Sequence, residues 1–148
     1  MPSNSNIEIR AAECDQMPSL DIPVVFIIFN RPEVTQKVFS EISKQRPKYL
    51  FIVSDGARPH RTGETERVLE TRSITECIDW PCKVHRNYAD TNMGCKKRVA
   101  SGIEWAFKHV DKAIILEDDC LPSQAFFGFC QDMLTKYEHE KRVFAVSG

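Results

Sequence analysis

Little in this 148-residue sequence points to a membrane, a polyanion or a disulfide framework. Its longest apolar run, residues 22–29, falls far short of the ~20 residues that span a bilayer. The opening stretch MPSNSNIEIRAAECDQMPSLD has no apolar heart of the kind a signal peptide needs, so a cytoplasmic chain without a membrane span is expected. Charge is balanced: 20 Lys and Arg against 21 Asp and Glu leave a net −1, which gives neither a basic field for nucleic acid nor an acidic tail. Cys14, Cys77, Cys82, Cys95, Cys120 and Cys130 form no CxxC pair and no His/Cys spacing suited to zinc, so free, mostly buried thiols are expected. The histidines show no triad or metal spacing either, and only His60, in a loop, draws attention. There is no internal repeat. Any binding must come from a local site on one compact domain, which at this length buries roughly two thirds of its unfolded surface.

What is present alternates between buried strands and amphipathic helices. Residues 1–20 are polar and aperiodic and read as a flexible arm, with the domain running from 21 to 148. IPVVFIIF (22–29) is the continuous β-branched and aromatic run of a strand covered on both faces, and NRPE after it suggests Asn30 as N-cap answered by Glu33. YLFIVSDG is a second buried strand stopped by Asp55-Gly56, followed by a loop, ARPHRTGE, and a helix over about 64–78 with Val68, Leu69 and Ile74 inward. CKVHRNY reads as a third, less buried strand. A helix then carries Val99, Ile103, Ala106, Phe107 and Val110, AIILEDD forms the fourth strand, Pro122-Ser123 opens a last helix, and VFAVSG starts a fifth strand. The pattern is α/β: a doubly wound, mainly parallel sheet, which collects its ligands at the carboxyl ends of the strands.

Four segments follow strands and meet at that rim: Asn30-Arg31, Asp55-Gly56, 88–94, and Glu117-Asp118-Asp119. Three adjacent acids raise one another's cost of ionisation and call for solvent, a cationic partner or a metal. Strand alternation sends Glu117 and Asp119 to one side and Asp118 to the other. Hard carboxylate oxygens in a loose shell suit Mg²⁺ or Mn²⁺, whose remaining positions are taken by water and substrate phosphates. Asp55 can accept from a ribose hydroxyl or a base N–H, although Asp-Gly is also ordinary turn chemistry. Arg31 can pair with a base or phosphate, or simply be solvated. Among Lys96, Lys97 and Arg98, one or two can face an anion at the helix start, with at least one solvated.

Taken together, PVVFIIFNRPEVTQKVF (23–39), LFIVSDG (50–56), NMGCKKRVASGIEWAF (92–107) and AIILEDDCLPSQAFFGFC (113–130) resemble nucleotide-diphospho-sugar transferases of the GT-A fold, most closely the N-acetylglucosaminyltransferase I branch. The resemblance implies a Rossmann-like nucleotide-sugar-binding half of that fold. By it, Asp119 is the Mn²⁺ ligand, and Glu117 and Asp118 contact the ribose, the donor sugar or metal-bound water. Arg31 and Asp55 hold the nucleoside of a UDP-sugar, Lys97 or Arg98 approaches the diphosphate, and a glycan or other hydroxyl compound is the acceptor. The family's acceptor-binding surface, and in inverting members its general base, come from beyond the strand that here reaches Gly148, so a donor-binding portion is expected. The alternatives are a non-catalytic nucleotide-binding remnant and a receiver-like signalling module; receivers carry acids after the first strand, where this chain has FNRPE.

Overall fold

A computed structural model describes residues 19–148, so most of the expected arm, and Cys14 with it, lies outside the described residues. The domain itself begins before residue 21. Leu20 is buried, its N–H donates to Gln45 O at 3.0 Å and its carbonyl accepts from Lys48 N at 3.1 Å.

The elements run β1 (Val24–Ile28), α1 (Pro32–Gln45), β2 (Tyr49–Ser54), α2 (Glu64–Ile74), β3 (Lys83–Tyr88), α3 (Cys95–Ala106), β4 (Ile114–Glu117) and α4 (Gln124–Lys136). The four strands form one all-parallel sheet in the order β3-β2-β1-β4. Every residue of β1 is buried, as is β2 after Tyr49, which is what their unbroken apolar runs require of central strands. β3 and β4 are the edges, and β4 alternates buried and exposed. The fold is thus the doubly wound α/β sheet expected from the sequence.

Connectivity sets the layers. From β1 to β2 to β3 the chain steps one way along the sheet, whereas β3 to β4 steps back past β1; right-handed crossovers therefore put α3 on the opposite face from α1 and α2. Two apolar layers reflect this. Val24, Phe26, Ile28, Leu50 and Ile52 pack with Val38, Phe39 and Ile42 of α1 and Phe127 of α4, while Val25, Ile27, Phe51 and Val53 face Val99, Ile103 and Ala106 of α3. Gly102 lets α3 lie close, since a Cβ there would collide with Val53.

Several local expectations fail for physical reasons. VFAVSG forms no strand: α3 lies over β1 and β2, leaving the outer side of β4 uncovered with Ile115 38% exposed, and Phe144 stands in solvent. Helix α2 stops at Ile74 rather than Ile78, and Leu69 points outward while Val68 alone carries the apolar contact of that turn. Asn30 does not cap α1, which starts after Arg31; Glu33 pairs instead with Arg67 at 3.0 Å. The five described cysteines are free as expected, but Cys77, Cys95 and Cys120 are exposed rather than buried. No helix among the described residues is long and apolar enough to cross a membrane.

Candidate functional site

A cavity of about 440 Å³ opens at the carboxyl rim, lined by residues from all four strand ends. Phe29, Asn30 and Arg31 come from the end of β1, Asp55 and Arg58 from beyond β2, Asn92, Gly94, Cys95 and Arg98 from the β3–α3 turn and α3, and Glu117 and Asp118 from β4. It lies where successive crossovers leave the sheet on opposite faces, between β1 and β4, which is where doubly wound sheets bind their ligands. Of the seven residues singled out from the sequence, Arg31, Asp55, Arg98, Glu117 and Asp118 line it; Asp119 joins it through Arg31, and Lys97 lies outside it on the exposed first turn of α3.

The three acids have separated, but not by the expected strand alternation: β4 ends at Glu117, and Asp118 and Asp119 lie together in the turn after it. In register with Ile27, Glu117 stands on the α3 face, exposed, and its carboxylate has no hydrogen-bond partner among the described residues. Asp118 turns inward, its side chain 4% exposed, and accepts from Phe29 N at 3.2 Å and from the Arg31 guanidinium. Asp119 is half-exposed and accepts from Arg31 Nη1 at 3.0 Å. One arginine fork therefore spans two consecutive carboxylates. Burial works to lower the Arg31 pKa, but its bonds and charge interaction with Asp118, then Asp119, outweigh that and raise it. The hydrogen bond from Arg31 in turn holds Asp119 below its ordinary value.

The opposite side of the cavity is made differently. Asp55 is buried, and its carboxylate accepts from Gly56 N at 2.9 Å, Met93 N at 2.8 Å, Gly94 N at 3.1 Å and Asn92 Nδ2 at 3.1 Å. It is a clasp joining the end of β2 to the turn before α3. The turn depends on two glycines: Gly94 sits at φ 81°, and a Cβ on Gly56 would come within 2.5 Å of the Thr91 backbone. Arg98 points inward, donating to Ser54 O at 3.1 Å, to Asn87 Oδ1 at 2.7 Å and to Asn87 O. Arg72, from the other face, donates to Ser54 Oγ at 2.9 Å, Asp55 O at 3.0 Å and Ala89 O at 2.9 Å, with its guanidinium over the Tyr88 ring. Burial lowers the pKa of both arginines, and the carbonyls they cap are the strand ends themselves. The sequence expectation that Arg98 faces an anion thus meets a guanidinium already committed to the backbone.

A further pair was not legible in the sequence. Arg58 lines the cavity at 5.6 Å from the Phe29 ring centroid and is fixed by Glu64, which accepts from its Nε at 3.0 Å, its backbone N at 2.7 Å and its Nη2. Asn30 Nδ2 donates to the same carboxylate at 2.9 Å. The Glu64 carboxyl is held down at about 2, chiefly by the hydrogen bond from Arg58. An acid opening a helix reads as ordinary dipole chemistry; its contact six residues back follows no periodicity. His60 lies exposed in the same loop and does not line the cavity.

Among the described residues no three His, Cys, Asp or Glu side chains group into a set that could hold a metal by themselves. The donor chemistry still fits Mg²⁺ or Mn²⁺, which take one or two carboxylates and complete their shell with water and phosphate oxygens: Glu117 is uncommitted, and Asp119 is half-exposed. Compared with known proteins, the chain matches no family model, and no curated protein emerges as a relative.

Proposed function

We propose that this chain binds a nucleoside-diphosphate sugar, a UDP-sugar in the first instance, at the β1/β4 end of its sheet with the help of Mn²⁺ or Mg²⁺, and serves as the donor-binding domain of a glycosyltransferase. The observation that carries the reading is the pairing, across one switch-point cavity, of a β1 arginine with the acids that end β4. Strand order supports it over a receiver-like module, because receivers are built 2-1-3-4-5, whereas here β3 lies beyond β2.

In this reading Asp119 binds the cation and Glu117 takes a ribose, sugar or metal-bound water hydrogen bond. Asp118, anchored by Phe29 N–H, orients Arg31. Arg31 and Arg58 supply positive charge toward the diphosphate or base, while Asp55 and Arg98 shape the wall, their polar groups being spent on the backbone. When bound, the cation neutralises charge that grows on the departing nucleoside diphosphate. That diphosphate would leave as its bond to the anomeric carbon breaks and an acceptor hydroxyl of a glycan or similar compound bonds there, the hydroxyl proton passing to solvent or to a base outside this cavity. A second reading, nucleotide binding without transfer, is favoured by one feature: among the described residues lining the cavity there is no histidine, and Glu117 is the sole carboxylate without a partner, which leaves no separate general base.

The test is calorimetric titration of UDP, GDP and CMP with and without Mn²⁺. UDP is expected to bind in a metal-dependent manner; if none of the three binds with metal present, the reading fails. Turnover of UDP-sugars with acceptor glycans separates transfer from binding alone.

A further inference from the structure

Arg31 is poised differently from the other cavity arginines. Arg98 caps backbone carbonyls and Arg58, equally exposed, puts its Nε and Nη2 on the single carboxylate of Glu64, whereas the Arg31 guanidinium is split between Asp118 and Asp119, its only hydrogen-bond partners among the described residues. It donates one N–H to each. Asp118 cannot be left alone, since it is buried and its other oxygen is pinned by Phe29 N–H, so a counter-charge must stay near it. Asp119 is less constrained: it is 49% exposed, and the only other side chain it meets among the described residues is the Cys120 thiol, at 3.6 Å.

A divalent cation on Asp119 would sit about 2.1 Å from a carboxylate oxygen. That places two further positive charges beside a guanidinium bonded to the same group, and the two compete for it. We infer that Arg31 is an exchangeable internal cation: it occupies the acid pair in the ligand-free protein and yields Asp119 to the metal when a diphosphate arrives to receive its charge. The inference rests on the metal–diphosphate reading above and adds an order of assembly to it. Metal alone binds weakly because it must displace Arg31 without compensation. Diphosphate and metal together bind with positive coupling, since each removes the obstacle to the other, and by linkage the coupling is equal in both directions. Removing Arg31 costs stability on either account, because Asp118 is buried; a permanent structural ion pair differs in predicting that the removal does nothing for the metal.

The experiment is titration of Mn²⁺ alone into the wild type, Arg31→Gln and Arg31→Lys, followed by Mn²⁺ in saturating UDP. Arg31→Gln is expected to bind Mn²⁺ alone at least tenfold more tightly than the wild type, and its gain on adding UDP should shrink by a similar factor. Arg31→Lys, which keeps the charge but loses the fork, should fall between. Equal affinity of wild type and Arg31→Gln for Mn²⁺ alone overturns the inference while leaving metal-dependent UDP binding standing. UDP binding that ignores Mn²⁺ overturns the functional reading instead, and no Mn²⁺ binding to any form overturns both. Should Arg31→Gln be poorly folded without ligand, thermal melts decide: Mn²⁺ is expected to raise its melting temperature more than that of the wild type, and an equal rise contradicts the exchange.

Discussion

The two halves of the carboxyl rim use the same residue types to opposite ends. At β2 and β3, Asp55 is buried under three backbone N–H groups and an asparagine, and Arg72 and Arg98 close over the strand-end carbonyls from both faces. At β1 and β4, Arg31 and Asp119 meet side chain to side chain, each about half exposed, and Glu117 has no hydrogen-bond partner among the described residues. A buried acid whose hydrogen bonds go mainly to the backbone is a fastener. An acid paired with one half-exposed side chain is open to a ligand, which is why the β1/β4 half is the candidate site.

Substitutions should separate the halves, and the largest loss of stability is expected at Asp55. Asp55→Ala strands one buried and two part-buried N–H donors and should cost about 3 kcal/mol in urea unfolding. Next comes Arg98→Met, which strips the guanidinium from Ser54 O and from Asn87 and should cost about 1–2 kcal/mol by the same measurement, Ser54 O keeping its bond from Ala89 N at 2.9 Å. Acid titration probes the loop between the halves. Glu64 has a folded value of about 2 against 4.5 for the free side chain, so its contribution is complete above pH 4.5 and is lost as pH falls toward 2. Glu64→Gln should flatten that stretch of the stability profile. The smallest effect on the fold is expected for Asp119→Ala, at most about 1 kcal/mol for a half-exposed ion pair. A large loss there would make the β1/β4 half a fastener too and erase the contrast.

How much of this was readable beforehand follows from what kind of signal each feature carries. β1 and β2 are legible because a strand buried on both faces must be apolar throughout, whereas alternation misplaces Asp119: β4 ends at Glu117, and in the turn after it Asp118 and Asp119 share the Arg31 fork while Glu117 stands apart. The inward turn of Arg98 was not legible, since a helix-start arginine looks the same whether it meets solvent, an anion or a carbonyl from a strand 44 residues away. Arg58 was missed for the same reason, its role arising from a loop that folds back on Glu64. The absent fifth strand shows the limit of pattern alone: VFAVSG has strand composition, but the α3 side of the β4 flank is uncovered, with Ile115 38% exposed and Phe144 in solvent.

The central claim, that the open half of the rim is a metal-dependent diphosphate site, is tested most directly by the affinity of UDP with and without Mn²⁺ in the wild type and in Asp119→Ala. The account predicts that Mn²⁺ tightens UDP binding to the wild type and leaves the variant, still folded, unchanged. An equal response to Mn²⁺ in both proteins, or none in the wild type, would contradict it.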